Sequence, residues 1–388
     1  MSLLLTRVRS RARISSSSSS FLRRHHPRSP PLAPRAAFAS LAGAEEPTVV
    51  SPSEAEVRAG ALSRRNLERA VGAVHRDGLV VVEGVVPHAA LDRLNARMVS
   101  DARVLQARGD EGPFNYNTGN LQQGAPPVAE FFDPEVFVSE SRAGDLLSLP
   151  VPSPPPPFFF LLVDDLTRAP LTNRAADPIA TQVTSGVLGP RPLWTFCSAN
   201  TAVAGAGAAR QPVHSDADFA HPDHAFALVV NVPLVATAAA NGATELWLGT
   251  HTAAGGGGVA AQEGAHGERT SGRIREAQLA ARRAARPPCQ PPLAKGSLVV
   301  RDLRLWHAGM PNRGEPPRVM LAMIHFAPWY RSRMRLQLAD DVRPLLERLE
   351  RDGRLCLDVP VDWIPRDRAL GTYLDRGFGN SYDFDQEP

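Results

Sequence analysis

The sequence predicts a mainly β protein with flanking helices, its strands arranged as a sandwich, a barrel or a jelly roll. The first reason is a series of short β-prone runs at residues 181–187, 193–199, 225–235, 244–248, 296–301 and 319–326, punctuated by Gly, Pro or Asn. The second is the start of the body, which reads helix–strand–helix. Leu62, Leu67, Ala70, Val71 and Val74 recur at helical spacing over 62–76, and Asp77-Gly78 ends that helix. Residues 79–86 are apolar and β-branched, with the length of a buried strand. Pro87 then opens a second helix to about residue 108, with Leu91, Leu94, Met98 and Leu105 on its apolar side.

Length and composition set the bounds. A chain of 388 residues with 43% hydrophobic content buries a sizeable core, with room for one large or two ordinary domains. A pI of about 9.0 invites a nucleic-acid role. The distribution of charge argues against it. Residues 1–44 hold eight Arg and no Asp or Glu, so removing them from the formal +3 leaves −5 for residues 45–388. The basicity belongs to the N-terminal segment and not to a basic binding face.

That segment is Arg-rich, Ser-rich and free of acids, the pattern of an organellar transit peptide, which would place the protein in a mitochondrion or plastid. The alternative is a disordered tail in a chain biased toward Arg, since Lys295 is the only Lys; the protein would then be cytoplasmic. No segment reaches the ~18 consecutive apolar residues of a transmembrane helix. Cys197, Cys289 and Cys356 are single and widely spaced, which argues against a zinc site or disulfide framework and for buried or incidental thiols.

Residues 45–61 read as a linker, and 62–388 as a single catalytic domain with two irregular stretches. One is the proline-rich insert at 145–160, which is an extended tract, an insertion or a gene-model artefact. The other is a long excursion between strands at 251–292, in which Arg269 to Arg286 is expected to be a short helix ended by Pro287-Pro288. Its Arg269, Arg273, Arg275, Arg282, Arg283 and Arg286 are either contacts for an anionic substrate or a solvated face.

The chemistry is carried by His214, Asp216, His307 and Arg318. His214 and Asp216 are two apart, and on an extended segment residues i and i+2 point to the same side. Two imidazoles and one carboxylate make the facial ligand set of a non-heme Fe(II) site with open positions. Arg318 opens the apolar run 319–326, where a charge is costly unless paired; a ligand carboxylate, or an Asp or Glu of the protein, would pair it, and the alternative is a surface Arg that snorkels to water. His221 and His224 suggest an active-site loop or solvated surface, His251 a packing or capping role, and His325 a core residue.

Around these positions the chain resembles the phytanoyl-CoA dioxygenase family of Fe(II)/2-oxoglutarate oxygenases. The resemblance is carried by Val213-His-Ser-Asp-Ala-Asp-Phe219, Asn231-Val-Pro-Leu234, Asn241-Gly-Ala-Thr-Glu-Leu-Trp-Leu-Gly-Thr-His251, and Gly296-Ser-Leu-Val-Val-Arg-Asp-Leu-Arg-Leu-Trp-His307 through Arg318. Asp77-Gly-Leu-Val-Val-Val-Glu-Gly-Val-Val-Pro87 resembles its entry strand. It implies a double-stranded β-helix core, jelly-roll and cupin-like, with iron on His214, Asp216 and His307. It also implies 2-oxoglutarate held by Arg318, with Thr244 as a second contact, and O2 as co-substrate. The implied reaction hydroxylates an unidentified small-molecule or acyl substrate, with release of succinate and CO2. The competing readings are a metal-dependent isomerase or lyase and a non-catalytic binding module. Leu248-Gly-Thr-His251 departs from the family's usual Pro-Gly-Ser-His. No protein partner, nucleic acid or membrane span is expected.

Overall fold

The computed structural model describes residues 45–138, 179–204, 209–219, 221, 223–265, 268 and 270–375. The transit-peptide-like segment 1–44 and the proline-rich insert 145–160 lie outside the described residues.

The opening helix–strand–helix is present. The helix α2 (Arg64–Asp77) follows Ser63, whose hydroxyl accepts from Asn66 N–H, and stops at Gly78 in the left-handed region. The strand β2 (Leu79–Val82) is buried on both faces. The helix α3 (His88–Gln106) starts after Pro87. Residues 45–61, expected as a linker, carry β1 (Val49–Val50) and α1 (Glu54–Ala59), the latter closed by a capping box between Ser53 and Glu56. The aperiodic stretch beyond α3 supplies β3 (Asn120–Gln123) and α4 (Pro134–Phe137).

One expected strand is a helix. Residues 181–187 are β-branched, but they lie in α5 (Ile179–Leu188). Ile179, Ala180, Val183 and Thr184 fall on one buried face at helical spacing, and the helix packs on α2, β5 and β7. Tertiary burial outweighs the modest helix cost of Thr and Val. The remaining runs form β4 (Leu193–Ala202), β5 (Ala227–Pro233), β6 (Glu245–Leu246), β7 (Leu298–Asp302), β8 (His307–Ala308) and β9 (Arg318–Phe326). The excursion holds α6 (Glu276–Ala285), shorter than expected. The C-terminal part adds β10 (Leu336–Ala339), α7 (Arg343–Arg351), β11 (Val361–Ile364) and α8 (Arg366–Thr372).

The expected double-stranded β-helix, a jelly-roll closure of a mainly β chain, is not what forms. The principal sheet is open and mixed, with seven strands in the order β1-β2-β7-β5-β9-β4-β3. β1 runs parallel to β2, and every other pair is antiparallel. The ends of that sheet, β1 and β3, do not pair with each other. The other ladders are the two-stranded sheets β6–β8 and β10–β11. Helices hold no fewer of the described residues than strands do, so the architecture is mixed α/β. A local run of β-prone residues states that a strand forms. Closure depends on stagger and on pairing between the two ends, which no local run encodes.

Alternation along the strands gives the sheet two different faces. Val80, Val82, Leu228, Val230, Val300, Leu321 and Met323 belong to the main apolar core, together with Val74 of α2, Leu94 and Met98 of α3, and Val183 of α5. The alternate positions face a cavity. Val299 and Arg301 of β7, Val229 and Asn231 of β5, Arg318, Met320, Ala322 and Ile324 of β9, and Phe196, Ser198 and Asn200 of β4 all line it.

Candidate metal centre

The second wall of that cavity is a small ladder. The segment around His214 lies between His307 and Arg273. His214 N–H donates to His307 O and His307 N–H to His214 O, both at 3.0 Å, a reciprocal antiparallel pair. On its other side, Ser215 N–H donates to Gly272 O and Ile274 N–H to Val213 O. Leu246 pairs with His307. The row therefore reads Leu246, His307, His214, Arg273, and side chains directly opposite one another share a face. Two histidines 93 positions apart in sequence become neighbours through this pairing.

His214, Asp216 and His307 each offer a ligand atom, all within 4.8 Å of one another. Asp216 Oδ1 lies 3.7 Å from Nε2 of each histidine, and the two rings are 4.3 Å apart at their centroids. One ion can reach all three at bond lengths of roughly 2.0–2.2 Å. The hydrogen bonds select the ligating tautomer. Nδ1 of His214 is 2.9 Å from Pro212 O, and Nδ1 of His307 is 3.0 Å from Leu305 O. A carbonyl only accepts, so each Nδ1 carries the proton and each Nε2 presents its lone pair. Burial pushes the basicity of both imidazoles down, which keeps them neutral. Burial by itself would raise the Asp216 carboxyl; the Arg301 guanidinium, with the imidazoles, outweighs it and holds the group well below the usual carboxylate range. The donor set fits Fe(II).

The sequence pattern does not single out Arg301, although a charge inside Leu298-Val-Val-Arg-Asp302 is an available signal. Its Nη2 donates to Asp216 Oδ2 at 2.5 Å, and its Nε donates to Asn231 Oδ1 at 3.0 Å. Asp216 is thereby held with one oxygen committed and the other free.

Arg318 lies at the start of β9, 3% exposed. Its Nη1 donates to Asn200 O at 3.2 Å and its Nη2 to Gly242 O, while its buried Nε has no partner. No carboxylate pairs with it among the described residues. Burial alone pulls its pKa down to about 10. Of the two partners the sequence allows, a carboxylate of the protein is excluded among the described residues. Thr244 lines the same cavity, its hydroxyl only 3.9 Å from Met320 Sδ.

A phytanoyl-CoA dioxygenase family model matches residues 74–320, well over half of the chain and inclusive of His214, Asp216, His307, Arg301 and Arg318. The chain belongs to the phytanoyl-CoA dioxygenase family. Fe(II), 2-oxoglutarate and O2 are accordingly its cofactors, and the His/His/Asp set is a fit for that iron. Several solved structures are similar. The epimerase SnoN, in complex with Fe3+, alpha ketoglutarate and nogalamycin RO, is 16% identical over 68% of this chain and 84% of its own, with a TM-score of 0.41. The carbocyclase SnoK from nogalamycin biosynthesis is 12% identical over 71% and 86%, with a TM-score of 0.43. EctD from S. alaskensis with bound Fe is 18% identical over 83% and 93%, with a TM-score of 0.41.

Among the described residues, the other histidines of this family member do not join the metal set. His251 is buried, with Nε2 3.2 Å from His75 O at the end of α2, a capping position as expected. His325 lies buried in β9, its ring stacked on Trp194. The His224 ring lies against Trp329. The arginines of the excursion divide. Arg286 pairs with Asp77 and Glu45, Arg282 donates to Leu248 O, Arg283 lies over Trp247 near Glu276, and Arg275 donates to Ala260 O. Arg273 instead sits beside His214; Arg269 is outside the described residues. Cys289 is buried, its thiol pushed up to about 12 by that burial, and no disulfide joins the three cysteines. No helix among the described residues is long and apolar enough to cross a membrane.

Proposed function

We propose that the protein is a 2-oxoglutarate-dependent dioxygenase that hydroxylates a small-molecule or acyl substrate, with release of succinate and CO2. The observation that carries this is Arg318, a buried guanidinium without a carboxylate partner among the described residues, in the same cavity as the three ligand atoms. Iron held there supplies the redox chemistry that couples oxidation of substrate by O2 to decarboxylation of the co-substrate.

The chain's own residues do the rest. His214, Asp216 and His307 hold the metal on one side and leave the positions facing the cavity open. Arg318 takes the far carboxylate of 2-oxoglutarate through its planar fork, and Thr244 offers a hydroxyl beside it. Val229, Val299 and Ile324 on the sheet face limit water at the reacting centre. Asp216 keeps the third protein ligand position filled, which favours hydroxyl transfer over halide chemistry. An isomerase or lyase that uses the metal alone would have no use for a carboxylate clamp at Arg318.

The test is a succinate-release screen against acyl-CoAs and small metabolites, with wild type, His307→Ala and Asp216→Ala in parallel. O2-dependent succinate equal to oxidised product is expected from wild type, and loss of both from the variants. Succinate formation that survives in either variant overturns the proposal. The composition of residues 1–44 supports an organellar location, mitochondrion or plastid; a fluorescent fusion to that segment that stays cytoplasmic refutes it.

A further inference from the structure

We infer that the substrate carries an anionic group, bound by Arg273 at the edge of the metal centre; this rests on the oxygenase reading above. Three guanidiniums surround the site. Arg301 is neutralised by Asp216. Arg318 awaits one carboxylate of the co-substrate. Arg273 has no acidic partner among the described residues, and its buried Nε has no acceptor. With iron and 2-oxoglutarate both bound, the metal, the co-substrate, Asp216, Arg301 and Arg318 together still carry a net positive charge, so nothing at the metal centre neutralises Arg273. The neighbouring carboxylate, Asp218, accepts from the Ser271 hydroxyl at 2.6 Å.

The ladder places this charge beside the metal ligands. Arg273 is opposite His214 in a pair that is not mutually hydrogen-bonded, so their side chains are close and share a face. The metal ligands thus lie between two unpaired cations. Arg318 is held by Gly242, on the segment that carries Leu246, and Arg273 lies on the other side of His214.

Arg273 is also held in place. Its guanidinium lies 5.5 Å over the Tyr116 ring, and that ring stands 5.0 Å from the ring of His214. Tyr116 has φ of 69°, a left-handed conformation unusual for an aromatic residue. Such strain persists where the surroundings enforce it, as at ligand sites. Beside the metal residues, Gln211 adds a donor. Its Oε1 accepts Gly309 N–H at 2.8 Å, leaving buried Nε2 free on the cavity wall. The guanidinium on its aromatic platform suits a carboxylate or phosphate and offers nothing to a cationic head group.

The experiment is calorimetric titration, without O2, of the full-length protein loaded with Fe(II) and saturating 2-oxoglutarate. The probes are inorganic phosphate, hexanoate and hexanamide. Hexanoate is expected to bind at least about tenfold more tightly than hexanamide to wild type and to Arg273→Lys. Arg273→Gln should lose that preference, and phosphate binding with it. Equal binding of the two six-carbon probes to wild type, or a preference that survives in Arg273→Gln, overturns the inference. The visible band of the 2-oxoglutarate complex, recorded on the same samples, separates this failure from failure of the oxygenase reading, which would remove the band altogether.

Discussion

Arg301 Nη2 lies 2.5 Å from Asp216 Oδ2, and this single contact decides which oxygen of Asp216 faces the metal position. With Oδ2 occupied, Oδ1 stands 3.7 Å from both imidazole Nε2 atoms. Arg301 is a positioning residue, acting through Asp216. Arg301→Met should weaken Co(II) binding about 10- to 100-fold, the usual cost of losing a group that orients a ligand. Arg301→Lys should recover part of it. Anaerobic Co(II) titration followed by visible absorption measures both, with a thermal melt to show that each variant is folded.

Arg318 should divide metal from co-substrate binding. A hydrogen bond to a charged group contributes about 1.5–3 kcal/mol. Arg318→Met should therefore raise the dissociation constant for 2-oxoglutarate about 10- to 100-fold. Metal affinity measured without 2-oxoglutarate should not change, because Arg318 touches none of the three ligands. A co-substrate titration of the visible band checks the first statement, and Co(II) titration the second.

Acid stability of the metal-free protein should depend on His325. Burial pushes its pKa down to about 4 against a usual value of 6.5. Between these values the unfolded chain binds a proton that the folded chain refuses, so stability is full above pH 6.5 and falls as the pH drops toward 4. The loss from this residue is at most about 3 kcal/mol. His214 and His307 are depressed as well and act in the same direction. Urea melts at pH 7 and pH 4.5 should show a smaller drop for His325→Leu than for wild type.

Gly78→Ala should destabilise the junction of α2 and β2. Gly78 has φ of 82°, and a Cβ there would come within 2.6 Å of His251 Nδ1 and 2.7 Å of Leu305 Cδ1. Strain and crowding act together, for a cost of at least about 1 kcal/mol. A lowered thermal midpoint with unchanged Co(II) spectra is the expected result.

Much of the candidate site is legible in the amino-acid sequence. His214 and Asp216 sit on one extended segment, where alternation alone puts both side chains on one side. Arg318 stands out as a charge at the mouth of an apolar strand. Arg301 is harder to see, since its meaning depends on β7 lying beside β5 and across from Asp216. Tyr116 reads only as a loop aromatic in an aperiodic stretch, and its contact with His214 is purely tertiary. The β-branched residues of α5 mislead because propensity is weak where one face of a helix is buried in the core.

By itself the sequence determined the chemistry: which side chains can ligate, which cation lacks a local partner, and that helix–strand–helix opens the body. Those properties follow from residue type and short-range periodicity. Only the tertiary structure decided that the seven-stranded sheet stays open, that His307 pairs with His214, that Arg301 takes one oxygen of Asp216, and that Arg273 alone of the described excursion arginines reaches the site. Each of these is a matter of register between segments far apart in the chain. Register is set by which faces become buried together, and a local run of residues does not carry that information.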